Sequence, residues 1–311
     1  MKLAFVFPGQ GSQAVGMLEA YAGLPGVDGV RQEAGEVLGA EFLRILDEGP
    51  AEALALTVNT QPAMVTAGIA AYRAWCALGG PVPSLVAGHS LGEYSALVAA
   101  GALSLKACLP VVRFRAEAMQ QAVPEGQGAM AAIMSLDDDA VRAACAEVAQ
   151  GEVVQAVNFN APGQVVIAGQ QSAVARAIDA CKARGAKRAM RLPVSAPFHS
   201  SLMQPAAERL RAHLEAVGFE PPRIDLINNV DVAIAESAAG IRDALVRQAA
   251  SPVRWAETVQ RMAQDGVTHI VECGPGKVLT GLVKRIAPQA QGLSLGDRQS
   301  LEHALTEIQG A

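Results

Sequence analysis

Short apolar runs alternate with longer amphipathic stretches from the start of the chain. Apolar runs at residues 3–7 and 84–88 predict two strands, and the amphipathic stretch between them, to about residue 80, predicts helix. A further strong strand is predicted at 269–273, directly before Gly274-Pro275-Gly276. Alternating strands and helices are typical of a parallel sheet with helical crossover connections. We therefore predict a large α/β domain.

The pattern changes after Pro124. The elements predicted from there are a strand, a helix, two strands, a helix and a strand, at residues 129–134, 137–149, on both sides of a turn at 160–163, 172–184 and 189–194. This βαββαβ order is that of a ferredoxin-like fold. We expect a large α/β-hydrolase-like domain, residues 1–125 and 196–311, with a small ferredoxin-like domain, residues 126–195, inserted into it. A cleft between two such domains is the natural place for a functional site.

A seven-residue motif, Gly88 to Tyr94, lies between the second strand and an alanine-rich helix. Ser90 has glycine two positions before it and two after, the spacing of a nucleophile elbow, in which a side chain at either glycine would crowd the turn. The backbone N–H of Leu91 then lies at a helix N-terminus, where it can stabilise an oxyanion. The motif is short, so a glycine-bounded turn without catalytic function stays open as an alternative.

A serine hydroxyl needs a base to become a good nucleophile, and the chain has five histidines. His199 lies in a proline-rich loop, residues 193–200, directly after the small domain, and catalytic groups are often held on loops against a rigid scaffold. We predict His199 as the base, with an ordinary loop histidine as the alternative. His89 is predicted to be structural or to lie on the oxyanion side, because neighbouring residues at an elbow point apart.

A second glycine-rich turn follows the first strand at residues 7–13. Gly9 and Gly11 flank Gln10 and let the backbone approach a ligand closely, so the Gln10 N–H is a candidate second oxyanion donor. The loop matches neither of the phosphate-binding patterns GxGxxG and GxxxxGK. A plain turn between strand and helix remains the alternative.

The composition restricts the class of protein. Hydrophobic residues make up 51% of the chain and aromatic residues only 4%, so aliphatic side chains must pack the interior. The net charge of −5 argues against a nucleic-acid partner. No apolar stretch is long enough for a membrane span or a signal peptide, and we expect a soluble, cytoplasmic protein. Five scattered cysteines without a C-x-x-C pair indicate neither disulfides nor zinc and are predicted to be packing residues.

The two glycine motifs together, residues 7–13 and 88–94, closely resemble those of malonyl-CoA:acyl carrier protein transacylases, and the resemblance extends over essentially the whole chain. Further matching segments are residues 60–63, 112–115, 158–160, the loop ending in Phe198-His199, 228–230, 245–248 and 274–279. The resemblance implies that Ser90 is the acyl-accepting nucleophile and His199 its base. It also implies that the backbone N–H groups of Gln10 and Leu91 form the oxyanion hole.

Two further roles are implied by the resemblance. Arg115 matches the arginine that binds the free carboxylate of malonate, and Gln248 matches the residue whose carbonyl orients the histidine ring. A guanidinium offers two parallel donors to a carboxylate, so an arginine facing the nucleophile would select an acyl group with a free acid. Arg113 lies only two positions away, and periodicity alone does not distinguish a binding arginine from a surface one.

The implied reaction is a ping-pong transfer of malonate from malonyl-CoA to the phosphopantetheine thiol of acyl carrier protein, in fatty acid biosynthesis. No metal or other cofactor is expected, because CoA and phosphopantetheine thioesters are substrates. One alternative is a related transacylase serving malonate decarboxylase or a polyketide synthase. Another is a serine esterase, disfavoured because no acidic triad member is identifiable in the order Ser, Asp, His. A catalytically inactive scaffold is a third.

A basic cluster stands out in the acidic chain near the end of the predicted small domain. It consists of Lys182, Arg184, Lys187, Arg188 and Arg191. Carrier proteins of this pathway are acidic, so the cluster is a candidate surface for attracting them, with a solvated helix end as the alternative.

Overall fold

The strands of the protein form two separate sheets in the computed structural model, which describes residues 1–194 and 196–310. Ser195, the last residue of the predicted small domain, and Ala311 lie outside the described residues. The strands are, in chain order, β1 (Leu3–Phe7), β2 (Leu85–Gly88), β3 (Gly128–Met134), β4 (Val154–Ala161), β5 (Gln164–Gln170), β6 (Arg188–Arg191), β7 (Asp225–Ile227), β8 (His269–Glu272) and β9 (Gln291–Ser294). The α-helices are α1 (Val27–Leu38), α2 (Ala40–Glu48), α3 (Ala51–Ala55), α4 (Thr57–Ala77), α5 (Gly92–Ala99), α6 (Leu105–Gln121), α7 (Asp138–Val148), α8 (Gln171–Ala183), α9 (Gln204–Glu215), α10 (Ala238–Ala249), α11 (Trp255–Gln264), α12 (Val278–Ile286) and α13 (Arg298–Gln309).

The larger sheet has the order β7-β2-β1-β8-β9, and all its strand pairs are parallel. Phe5 and Phe7 of β1 pack in one buried cluster while Ala4 and Val6 pack in another, so the sheet is covered on both faces. In the register between β1 and β2, Phe7 lies opposite Gly88. The loops that follow these two strands therefore leave the sheet side by side at its carboxyl edge, where ligands bind in open α/β sheets.

The smaller sheet has the order β4-β5-β3-β6 with antiparallel neighbours. One of its faces packs against α7 and α8, in a cluster that includes Ile133 and Ile167. Its other face contributes Met130 and Val166 to a cluster with Phe198. Edge strand β4 also hydrogen bonds to the main chain of Val253. This sheet is therefore fixed directly above the carboxyl edge of the larger one.

The structure confirms the predicted parallel sheet and the predicted βαββαβ order of the insert. The single helical stretch predicted to residue 80 is wrong in detail, because it is divided into α1 to α4. Gly39 and Gly49, with positive φ angles of 86° and 80°, separate the first three of these helices. Strands β7 and β9 were not predicted, and Cys76 is exposed instead of packed in the interior like the other four cysteines. Within the described ranges, no helix has the length and apolarity to cross a membrane.

Candidate active site

Ser90 occupies a strained turn between β2 and α5. Its φ angle of +52° lies in the left-handed region, which side chains other than glycine rarely adopt. A Cβ placed on Gly88 would lie 1.8 Å from the backbone of Gly92, and one on Gly92 would lie 2.0 Å from the carbonyl oxygen of Phe7. Only glycine fits at both positions, so the geometry is that of the elbow indicated by the sequence.

The loop after the small sheet brings His199 to Ser90. The serine Oγ lies 2.6 Å from Nε2 of His199, and Nδ1 of the same ring lies 2.8 Å from the backbone carbonyl oxygen of Gln248. Because a carbonyl oxygen only accepts hydrogen bonds, Nδ1 must carry the proton of the neutral ring. Nε2 is then free to accept the proton of the serine hydroxyl. The three groups form a relay in which a carbonyl occupies the place of the acid in a Ser-His-Asp triad.

Arg115 reaches the same hydroxyl from α6. Its Nη2 donates to Ser90 Oγ at 3.2 Å and to Oε1 of Gln248 at 2.9 Å, while Nη1 donates to Oε1 of Gln61 at 2.9 Å. The arginine is only 2% exposed, and burial lowers the pKa of its guanidinium. No carboxylate hydrogen bonds to this buried cation in the described part of the chain. Two amide oxygens hold it beside the nucleophile.

The two predicted oxyanion donors lie beside Ser90. Leu91 is the N-cap of α5, and Gln10 follows β1 at the edge it shares with β2. A Cβ on Gly9 would lie 2.8 Å from the carbonyl oxygen of His89, so the two loops approach each other as closely as a glycine allows. Neither amide donates to another group of the described residues. Neither N–H group is therefore occupied among the described residues, as the predicted oxyanion role requires.

The ring of His89 lies in the wall of the site and is held by the small sheet. Its Nε2 lies 2.8 Å from Oδ1 of Asn160 on β4, and its ring is tilted against Trp255 at 5.5 Å between centroids. Burial lowers the pKa of this histidine, so it is neutral and packed. It joins the elbow to the small sheet. The structure therefore places it where the sequence predicted a structural residue.

The site keeps its histidine unprotonated. Burial, and next the positive charge of Arg115, lower the pKa of His199 to about 3. Glu93, on the first turn of α5, shows the opposite effect, because burial raises the pKa of its carboxyl group to about 7 against the hydrogen bonds from Gln248 and Asn229. At neutral pH a proton therefore binds the Glu93 carboxylate more readily than the His199 ring.

Several site residues had no role predicted from the sequence. Gln61 holds Arg115, Glu93 accepts from Gln248, and Asn229 spans the elbow by accepting from Ser90 N and donating to the Gly88 carbonyl. Each lies in a segment that marks the family resemblance. A matching segment shows which residues resemble those of the family, but it does not show which side chains these residues contact.

A cavity of about 130 Å³ opens onto Ser90, His199 and Arg115. Met130 of the small sheet lines it as well, so the cavity lies between the two sheets. A second cavity of about 280 Å³ adjoins it and shares Asn158, whose buried Oδ1 has no partner among the described residues. The first cavity has the volume of a small organic group, and it shares further lining residues with the second. Of the residues described, no three His, Cys, Asp or Glu side chains are grouped to bind a metal.

Known proteins are similar to this chain in sequence and fold. Residues 4–295 match the acyl transferase domain family. The malonyl CoA-acyl carrier protein transacylase of Salmonella typhimurium is 52% identical over 307 residues, which cover 98% of this chain and 99% of that protein. A solved acyl-carrier-protein S-malonyltransferase from Burkholderia pseudomallei is 58% identical with a TM-score of 0.96, covering 98% of this chain and all of that one. A malonyl-transacylase solved in complex with a type II PKS acyl-carrier protein is 51% identical with a TM-score of 0.97, covering 99% of this chain and 100% of that chain.

Proposed function

Because this chain belongs to the acyl transferase family, we propose that it moves the malonyl group of malonyl-CoA onto the phosphopantetheine thiol of acyl carrier protein. Ser90 carries the malonyl group between the two thiols. The reaction supplies fatty acid biosynthesis, and CoA and phosphopantetheine thioesters are its substrates, with no further cofactor.

The first half-reaction begins with proton transfer from Ser90 Oγ to Nε2 of His199. The oxygen attacks the thioester carbonyl, and the resulting oxyanion accepts hydrogen bonds from the N–H groups of Gln10 and Leu91. The C–S bond then breaks, and the His199 proton passes to the leaving CoA sulfur. In the second half-reaction the carrier thiol gives its proton to His199, attacks the malonyl ester and releases the serine oxygen, which recovers that proton.

One observation supports malonyl as the acyl group. Arg115 Nη2 lies 3.2 Å from Ser90 Oγ, so a buried cation faces the atom that carries the acyl carbon. In a malonyl ester the free carboxylate carbon lies roughly 2.5 Å from the ester carbon, two C–C bonds away. The carboxylate therefore reaches the guanidinium without rearrangement of the chain. A simple acyl group would leave the buried charge unpaired.

Intact mass measurement tests the proposed function directly. Mixing the protein with malonyl-CoA should add one malonyl group at Ser90, and adding holo carrier protein should discharge it onto the carrier. Steady hydrolysis of malonyl-CoA at the same rate without a carrier would instead support a serine esterase. Absence of any adduct would contradict the proposal. Comparing carriers of fatty acid synthesis, polyketide synthesis and malonate decarboxylation distinguishes the pathways served.

Replacing Arg115 with leucine should lower kcat/KM for malonyl-CoA by about 10²- to 10³-fold, because the malonyl carboxylate would lose a charged bidentate partner in a buried site. Acylation by acetyl-CoA should not fall, so the preference for malonyl-CoA should collapse. Arg113→Leu is the matched control, since Arg113 lies on the same helix but over the ring of Phe42. Equal losses with both substrates would contradict a role in selecting malonate.

The low pKa of His199 predicts the pH dependence of acylation. With a pKa of about 3, the ring stays unprotonated at pH 5, so kcat/KM for CoA release should stay flat from pH 8 to 5. A base with the ordinary histidine pKa would lose about thirtyfold over this range. A thermal melt at each pH checks that the protein is folded. Glu93, whose pKa is about 7, titrates in this range, and the Glu93→Gln variant should give the same flat profile. An inflection near 6.5 would contradict the prediction.

The carrier protein is proposed to approach along the basic edge of the small sheet. Lys187, Arg188 and Arg191 are exposed on or next to β6, while Arg184 is paired with Glu147. Reversing the charge of Lys182 and Lys187 should lower kcat/KM for carrier protein about tenfold at low salt. Acylation by malonyl-CoA should not change. An unchanged rate and an unchanged salt dependence with the carrier would contradict the proposal that carrier protein approaches along this edge.

The architecture that supports this chemistry is proposed to be an α/β-hydrolase-like domain, residues 1–125 and 196–311, with a ferredoxin-like insert, residues 126–195. The parallel sheet with its elbow supports the first assignment, and the antiparallel order β4-β5-β3-β6 supports the second. We place the enzyme in the cytoplasm, where CoA thioesters and carrier proteins would meet it.

A further inference from the structure

The side chain of Gln248 is held from three directions. Its Oε1 accepts from Nη2 of Arg115 at 2.9 Å. Its Nε2 donates to the backbone carbonyl of Ser90 at 3.0 Å and to Oε2 of Glu93 at 2.9 Å. The residue that orients His199 through its backbone thus also connects Arg115 to a buried carboxyl group.

The partners of Gln248 fix which way its amide points. Arg115 only donates, so it requires the amide oxygen, and the Oε2 atom of Glu93 accepts, so it requires the amide nitrogen. If the amide turned over, its NH₂ group would face the guanidinium and its oxygen would face Glu93. Both contacts would then be lost, and buried polar groups without partners are costly. Glu93 therefore helps to present the oxygen to Arg115.

Glu93 is itself fixed to the elbow. The same Oε2 atom accepts from the backbone N–H of Asn229 at 3.0 Å, and Asn229 Oδ1 accepts from Ser90 N at 2.7 Å. Glu93 is 1% exposed and does not line the cavity at Ser90. It cannot touch a substrate there, so any effect on the reaction must pass through other residues.

We propose that Glu93 is a positioning residue for substrate selection: through the amide of Gln248 it holds Arg115 where the guanidinium can meet the malonyl carboxylate. This inference rests on the proposed function. The position of the Gln248 amide depends on where the accepting oxygen of Glu93 lies, more than on the charge of the Glu93 carboxylate. Gln61 accepts a hydrogen bond from Nη1 of Arg115 and so holds that nitrogen in place. The other nitrogen, Nη2, faces Ser90 and depends on Gln248 for its position.

Two substitutions at Glu93 separate position from charge. Glu93→Gln keeps an accepting oxygen at the same distance along the side chain and removes the charge. Glu93→Asp keeps the charge but withdraws the carboxylate by one methylene, so that it no longer reaches Gln248. The readout is the ratio of kcat/KM for acylation of Ser90 by malonyl-CoA and by acetyl-CoA. Glu208→Asp, at an exposed position of α9, is the control for the substitution.

The ratio should fall by about tenfold to a hundredfold in Glu93→Asp, as expected for one positioned hydrogen bond to a charged group. It should stay within twofold of the parent in Glu93→Gln. Gln248→Met, which keeps the backbone carbonyl for His199, should lower the ratio like Glu93→Asp, and the double variant should lose no more than either single one.

Other outcomes would overturn the inference. A low ratio in Glu93→Gln with a normal ratio in Glu93→Asp would assign the effect to charge. An unchanged ratio in both, equal losses with both acyl-CoAs, or multiplied losses in the double variant would also overturn it. If a thermal melt shows that Glu93→Asp does not fold, Glu93→Met takes its place, because it keeps the length of the side chain but removes the oxygen that accepts from Gln248. An unchanged ratio in Glu93→Met would overturn the inference. Failure of the parent enzyme to form malonyl-Ser90 would instead refute the proposed function.

Discussion

Replacing Ser90 with alanine should reduce malonyl transfer by at least ~10⁴-fold. The alanine removes the oxygen that lies within hydrogen-bond distance of both His199 Nε2 and Arg115 Nη2. Without the oxygen there is no ester intermediate, so the remaining groups have nothing to activate. The measurement is malonylation of holo carrier protein by intact mass, together with the absence of an adduct on the enzyme.

Ser84→Ala is the matched control for this substitution. Ser84 directly precedes β2, at the opposite end of that strand, and its Oγ donates to the Leu3 carbonyl at 3.0 Å. Its loss should leave transfer unchanged. A Ser90→Ala rate of about one percent of the parent rate would be far above what the expected loss allows. A rate at or above that level would mean direct transfer between the two thiols or a different nucleophile.

The elbow could be predicted from the sequence because it is a local structure. Gly88, Ser90 and Gly92 lie within five residues, and a Cβ on Gly88 would meet the backbone of Gly92 within the same turn. The second conflict, between a Cβ on Gly92 and the Phe7 carbonyl, depends on the neighbouring strand β1. The βαββαβ insert is also local, since its strands and helices follow each other closely. Strands β7 and β9 have three and four residues and carry no apolar run like those of β1 and β2, and they are fixed by pairing with distant strands.

The contacts that complete the site could not be predicted in this way. Glu93 meets Asn229 and Gln248 across 136 and 155 residues of chain, and Arg115 meets Gln61 across 54. Helical periodicity could not separate Arg115 from its neighbour Arg113. The fold separates them, since Arg115 is buried at the nucleophile. Residue types alone do not determine such pairings, which depend on how the elements pack.

Replacing His199 with alanine should lower the rate of Ser90 acylation by about 10³-fold, less than the loss from removing Ser90. Nε2 of His199 lies 2.6 Å from Ser90 Oγ and is proposed to accept the serine proton, and the ring is fixed by its bond to the Gln248 carbonyl. In the variant, the proposed oxyanion donors and the bound substrate remain, so slow acylation should persist. The measurement is the rate at which malonyl-CoA adds one malonyl group to the protein.

His303→Ala is the control, because His303 is exposed on α13 and should not affect acylation. Free imidazole should partly restore His199→Ala, since the deleted side chain leaves space beside Ser90 for a base of the same chemistry. The double variant Ser90→Ala/His199→Ala should be no slower than Ser90→Ala alone, because a base has no effect once its proton donor is gone. A His199→Ala enzyme that acylates at the parent rate would show that another group accepts the proton, and the relay from Ser90 to Gln248 would then have only a structural role.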